Sequence, residues 1–429
     1  MKKNWWIQHK WIPISLCSII VLVFLITSVY QLSNRFHQPV QASSVVSVQL
    51  MDLPSSAKAL PGEIVTNGTS IFWIDTRNEP SREVRGYNIS QSQEFVVSST
   101  GIPCANLRCN SQYVVWSDRQ QTNPGIYGYN LSSQQTIYIR QEFPSTFITG
   151  LNISEDYLFW EENLDIMRYC FSSQQLITVN GGPKDQWNVQ QDTTYVAWER
   201  LSSDNMVVRD IFYQDHATQT TQSINFVPLL TTSAINVYDG YFSYLTREEP
   251  SNRHGILNIF HMVTQSAVKT VSLQLQNNWI TNIKQITRIG TPYDSSSLHA
   301  IVNSVDIAGG YHPIYIDLKI GSQDPPILLP IEPQLPIDEI ICCQPECPQD
   351  ALDCMFLFHG EKSDLISNLS FYHVPTQTLY PIITNNSATL NWDKALRVDS
   401  TTIIFPITLE NTSGYDEKGT PKYVVVTFN

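Results

Sequence analysis

An all-β fold, a single β-propeller of eight four-stranded blades preceded by one transmembrane helix, is what this chain predicts, on three observations. First, a Trp-ended strand followed by a Tyr-centred strand recurs as IFWIDTRNEP…RGYNIS, YVVWSDRQQTNPGIYGYNLS, YLFWEENLDIMRYCFS and YVAWERLSSDNMVVRDIFYQD. Its anchors are Trp73, Trp116, Trp160 and Trp198, in steps of 43, 44 and 38 residues. A repeat of that length holding several short strands is the sequence form of a propeller. Second, stretches such as Tyr127-Gly128-Tyr129-Asn130-Leu131 alternate with the period of two expected of strands, and long helical patterns are absent beyond residue 30. Third, Ile12 to Tyr30 form 19 residues without a charge, enough to cross about 30 Å of hydrocarbon as a helix.

The elements follow in order. Residues 1–10 are a short cytoplasmic segment and residues 11–30 a signal anchor. Lys2, Lys3 and Lys10 precede the span and only Arg35 follows closely, which places the N-terminus inside and the remainder outside. Trp5, Trp6 and Trp11 suit the membrane interface. Cleavage after Val40-Gln41-Ala42 is the rival reading, but that site lies far beyond the apolar run. Residues 31–44 read as a polar, Pro-containing tether, and residues 45–429 as the propeller. After four clear copies come four looser ones, with Tyr244, Val302, Phe358 and Phe405 near the Trp position. The eighth copy stops after its third strand, so the run 45–50 is expected to supply the fourth and close the ring, which removes exposed edges. Seven blades is the alternative count.

Composition narrows the function. The chain has 429 residues, 15% of them charged, and a net charge of −13. Clustered Lys and Arg are what phosphate contacts require, so nucleic acid is excluded as a partner.

The strings VVWSDR…IYGYNL and FWIDTR…GYNI resemble the bacterial TolB-like β-propeller repeats, whose form is a Trp-x-Asp-x-Arg strand end followed by Ile-Tyr-x-Tyr-Asp-Leu. The resemblance is clearest over residues 62–215. It implies a scaffold found in periplasmic interaction proteins, envelope-attached surface proteins and the propeller halves of peptidases. Asn88 and Asn130 stand where those repeats usually carry Asp.

The polar residues after each Trp strand are the candidate ligand-binding rim: Asp75 and Arg77, Asp118 and Arg119, Glu161 and Glu162, Glu199 and Arg200, Arg247 and Glu248. In a propeller they would ring one face around a central funnel. The competing reading is that acid and Arg pair across neighbouring turns to hold the loops. Repetition itself favours structure, because catalysis needs one asymmetric constellation.

Beyond the span there are seven cysteines. Cys104 and Cys109 are expected to form one small-loop bridge, and Cys342, Cys343, Cys347 and Cys354 two more, as suits an oxidising compartment. Zinc is disfavoured because paired Cys-x-x-Cys knuckles are missing. Cys170 is left over, as a buried thiol. Histidines are scattered, His359 and His373 being the pair that share a repeat, and no His-Glu-x-x-His string occurs. There is no Gly-x-Ser-x-Gly elbow, P-loop or dinucleotide fingerprint. No catalytic residue, metal site or cofactor is therefore assigned.

The reading that follows is a membrane-anchored, extracytoplasmic module that binds or scaffolds a protein, peptide or glycan and is not an enzyme. The alternative is a cell-envelope hydrolase or lyase using Asp75, Asp118, Glu161 and Glu162, which would need two poorly neutralised carboxylates about 5–10 Å apart.

Overall fold

A computed structural model describes residues 45–428 apart from positions 55 and 239, the loops 99–102, 119–122, 142–147, 181–185, 202–208, 225–229 and 248–254, and most connections beyond Leu273. The apolar run Ile12–Tyr30 and the tether lie outside the described residues, and among those described no helix is long and apolar enough to cross a membrane.

Among the described residues the chain is all-β, in seven four-stranded sheets and one five-stranded sheet, every strand pairing being antiparallel. Sheets 1 to 7 take the chain in order: residues 59–98, 103–141, 148–180, 186–224, 230–273, 279–330 and 337–384. Each is a meander whose first strand packs on the first strand of the next sheet through sheet 6. Sheet 8 differs. Val45–Asp52 lies at its edge, pairing with Thr420–Phe428, which pairs with Thr402–Leu409; Ala388–Leu390 and Leu396–Asp399 both pair with the latter.

The Trp strands are buried on both faces, as in Ser70–Asp75 and Tyr113–Asp118, and their alternation explains why. Val114 and Trp116 pack back on sheet 1 with Phe72, Ile74 and Val84, while Val115 packs forward on sheet 3 with Leu158 and Trp160. Trp198 likewise faces Phe159 and Ile166 of sheet 3, and Ala197 faces Phe242 of sheet 5. Trp73 points back in the same sense, and what it meets is Ile404 and Tyr423 of sheet 8. Each tryptophan is thus a peg in the preceding sheet, and all four are 0% exposed. A strand pressed between two sheets must be apolar on both faces, so the repeat keeps large residues at successive positions.

A bulge recurs in the first strand. Asn106, Gly150 and Asn188 have φ of 61°, 64° and 55° where the register shifts, and Leu107, Leu151 and Val189 behind them are buried. The bulge frees backbone N–H groups, and a carboxylate of the preceding sheet takes them. Asn106 N and Leu107 N donate to Glu63 at 3.1 and 2.7 Å, and Asn188 N donates to Glu161 at 2.6 Å.

Turns complete the stitching. Asn110 Nδ2 donates to the Glu155 carbonyl at 2.7 Å, Ser154 Oγ to the Asp192 carbonyl at 3.0 Å, and Gly240 N to Asp192 Oδ2 at 3.0 Å. At the third turn of each repeat, Asn88 Oδ1 accepts from Gln91 N, Asn130 Oδ1 from Ser132 N and Ser133 N, and Asp215 Oδ1 from Ala217 N and Thr218 N. Asn does this as well as Asp, since only the side-chain oxygen is used. Sheet 3 has Cys170 there, and Asp156 supplies the acceptor to Ser172 N at 2.8 Å and to the Cys170 thiol at 3.1 Å.

Of the expected Cys104–Cys109 bridge, the Cys104 side chain lies outside the described residues. Both residues lie in the strand Pro103–Cys109, which pairs with Tyr113–Asp118. Cys342, Cys343, Cys347 and Cys354 lie outside the described residues.

Candidate functional site

The second strand ends, and the third begins, at the same edge of a meander as the link to the next sheet, so the described rim residues lie at that edge of their sheets. Strand alternation then decides where they point. A side chain two residues beyond the tryptophan is on the tryptophan's own face, inside the seam between sheets. Asp75, Asp118 and Glu162 are accordingly 2%, 1% and 5% exposed.

In sheet 1 the Trp73 indole N–H donates to Asp75 Oδ2 at 2.7 Å, and Arg77 clamps the same carboxylate through Nε (2.9 Å) and Nη2 (2.7 Å). Arg77 also reaches Glu94 at 2.7 Å, which Arg85 holds at 2.6 Å. Burial works against the charge on Arg77, but Asp75 and Glu94 outweigh it and hold its pKa above the ordinary value. In sheet 3 the Trp160 indole donates to Glu162 Oε2 at 3.0 Å. Arg140, from the last strand of sheet 2, donates from Nε to both Glu162 oxygens at 3.1 and 3.0 Å, and its Nη2 bonds the same acid. The Glu162 hydrogen bond raises the Arg140 pKa over the opposing effect of burial.

The other rim acids are also engaged. Glu161 takes Asn188 N and the Thr149 hydroxyl (2.9 Å), and Glu199 accepts from Asn188 Nδ2 at 2.8 Å. Arg200 approaches Asp210 at 3.7 Å. Arg119 and Glu248 lie outside the described residues, and Arg247 is described in its backbone alone, ending the strand Tyr241–Arg247. The structure therefore uses Asp75, Glu161 and Glu162 to join loops and sheets, and they do not converge as an open acid pair. Among the described residues no group of His, Cys, Asp and Glu is placed to hold a metal ion.

Several residues with structural roles escaped the sequence reading. Arg140 and Glu63 act across a seam, 22 and more than 40 residues from their partners, and no local pattern marks them. At the opposite end of the seam between sheets 3 and 4, His216 is 4% exposed, stacks over Phe159, lies tilted against Tyr157, and makes a 3.2 Å contact from Nε2 to the Asp192 carbonyl. Burial, with the Arg168 charge adding, holds its pKa below the ordinary value. Arg168, 5% exposed, rests over Tyr157 and reaches Gln214 Oε1 at 3.5 Å; burial lowers its pKa. A groove of about 250 Å³ opens near that end, between the turns at Asp215–Thr220 and Met262–Gln265, with Tyr195 and Tyr213 in its wall.

No protein-family model and no curated protein matches the chain. Solved structures resemble it in shape. Dipeptidyl peptidase 4 of Porphyromonas gingivalis is similar at TM-score 0.53 and 9% identity, over 85% of this chain and 60% of that one. The Dos1 propeller is similar at 0.52 and 10%, over 90% and 97%, and the WD40 domain of SCAP from fission yeast at 0.51 and 8%, over 89% and 98%. The chain spans about 60% of the peptidase's length. At such identities the likeness speaks for architecture alone, and the architecture is that of the β-propellers.

Proposed function

We propose that the eight sheets are the blades of one closed ring of the TolB-like kind, anchored in the membrane by the 11–30 segment and presented outside the cytoplasm as a binding or scaffolding module. Its partner would be a protein, peptide or glycan, with no cofactor. The observation that carries this reading is the state of the buried acids. Asp75 and Glu162 are saturated by an indole N–H and a guanidinium, and Glu161 by backbone N–H groups. Such acids lack the free proton-transfer capacity that hydrolysis demands. What they do instead is fix the loops between second and third strands as a rigid face, which lowers the ordering cost of binding.

The test is cross-linking of the tagged full-length chain in its membrane, followed by mass spectrometry, alongside a hydrolysis assay on peptide and glycan panels. A reproducible cross-linked partner with inert panels supports the proposal. Turnover of a panel substrate that is lost in Glu161→Gln and Glu162→Gln would establish the hydrolase or lyase instead.

A further inference from the structure

Sheets 1 and 3 share a local chemistry that sheet 4 breaks. In both, the acid two residues beyond the tryptophan accepts from an indole N–H and from a guanidinium Nε–H: Asp75 from Trp73 and Arg77, Glu162 from Trp160 and Arg140. Sheet 4 keeps both kinds of donor and lacks the acid, because position 200 is arginine. Trp198 is 0% exposed, and its Nε1 and the Nε of Arg200 are both buried without a hydrogen-bond partner.

The two side chains that carry these donors share a neighbour. They lie on one face of one strand, and a single phenyl ring orders both. Phe212 is the register partner of Trp198, stacks on it at 5.9 Å between centroids, and carries the Arg200 guanidinium at 4.0 Å. The approach of Arg200 to Asp210 uses Nη2 at 3.7 Å and leaves Nε out. Glu199 is on the other face, engaged by Asn188. With 28% of the Arg200 and 27% of the Asp210 side chain exposed, this edge of the seam opens to solvent. Desolvated donors without an acceptor are costly, and a planar carboxylate is what satisfies the same pair in sheets 1 and 3.

We infer that the edge of the seam at Trp198 and Arg200 is a binding site for a small organic carboxylate, which supplies from solution the acceptor that Asp75 and Glu162 supply from within the chain. The site is independent of the partner-binding reading above, since either can fail without the other.

The experiment is thermal unfolding of the full-length chain in sodium acetate, against sodium chloride and sodium phosphate at matched pH and ionic strength. Ligand that binds only the folded state raises the midpoint by mass action, here by about 1 °C or more at roughly 50 mM acetate. Chloride and phosphate are expected to give a smaller rise. Trp198→Phe, which keeps the ring bulk, and Arg200→Gln should each abolish the acetate increment; Arg200→Glu should make the protein indifferent to acetate by restoring an internal acid. If Arg200→Gln fails to fold, Trp198→Phe carries the test. An acetate increment no larger than that of chloride or phosphate overturns the inference, as does one that persists in Trp198→Phe.

Discussion

Replacing Glu162 with leucine removes the acceptor shared by Trp160 and Arg140 at the seam between sheets 2 and 3, and its cost can be worked out in advance. The Trp160 indole is 0% exposed and its N–H would lose its acceptor, a loss of about 1–3 kcal/mol. Arg140 would lose a bidentate partner that is 5% exposed, but its own side chain is 29% exposed, so solvent returns part of that energy and about 1 kcal/mol is a fair share. The sum is about 2–4 kcal/mol. Unfolding entropy near 2.1 cal/mol/K per residue over the unit Ser43–Asn429 amounts to about 0.8 kcal/mol/K. The midpoint should therefore fall by about 3–5 °C. Glu162→Gln keeps an oxygen for the indole and loses the charge, so it should fall by less than half as much. Differential scanning calorimetry of both variants, with Arg140→Gln and the double variant, completes a cycle whose coupling energy should be about 1 kcal/mol. A midpoint unchanged within 1 °C in Glu162→Leu, or additive single effects in the cycle, would refute the carboxylate bridge as a source of seam stability.

Other perturbations have equally definite outcomes. His216 has a folded-state pKa below its unfolded value, so the unfolded chain binds the proton more tightly; stability should rise with pH through the window ending near 6.5 and be lost on acidification. Urea midpoints between pH 5 and 8 should show that slope, and His216→Phe should flatten it. Gly150→Ala forces a side chain into φ +64° with its Cβ 3.2 Å from Glu161 Oε1, and should cost about 1–3 kcal/mol in chemical denaturation. Trp73→Ala empties the contact between sheets 1 and 8 and should cost about 3–5 kcal/mol.

Much of the architecture was legible because a strand squeezed between two sheets needs large residues on both faces, and Trp73, Trp116, Trp160 and Trp198 advertise that need. The role of the following acids was half legible. Period two already places Asp75 and Glu162 beside their tryptophans and not on an open rim, yet their spacing resembled a ring of ligands. What stayed hidden acts at long range: Arg140 reaching Glu162, or Glu63 gripping the bulge at Asn106, because nothing adjacent in the chain records such a partner. Cys104 and Cys109 are ambiguous in sequence for a related reason. Their spacing suits a closed loop as well as a bulged strand, and the pairing with Tyr113–Asp118 shows the bulged strand. Asn88 and Asn130 looked like departures from Asp-bearing repeats, although an amide oxygen receives the turn's N–H groups as a carboxylate would.

The union of Val45–Asp52 with Thr420–Phe428 has a consequence for biogenesis. Val45–Asp52 is synthesised well before Thr420–Phe428, so its hydrogen-bonding groups on that side stay unclaimed until the later strand emerges. During that interval the matching strand of a neighbouring copy offers the same register, which is the physical route to strand exchange between copies.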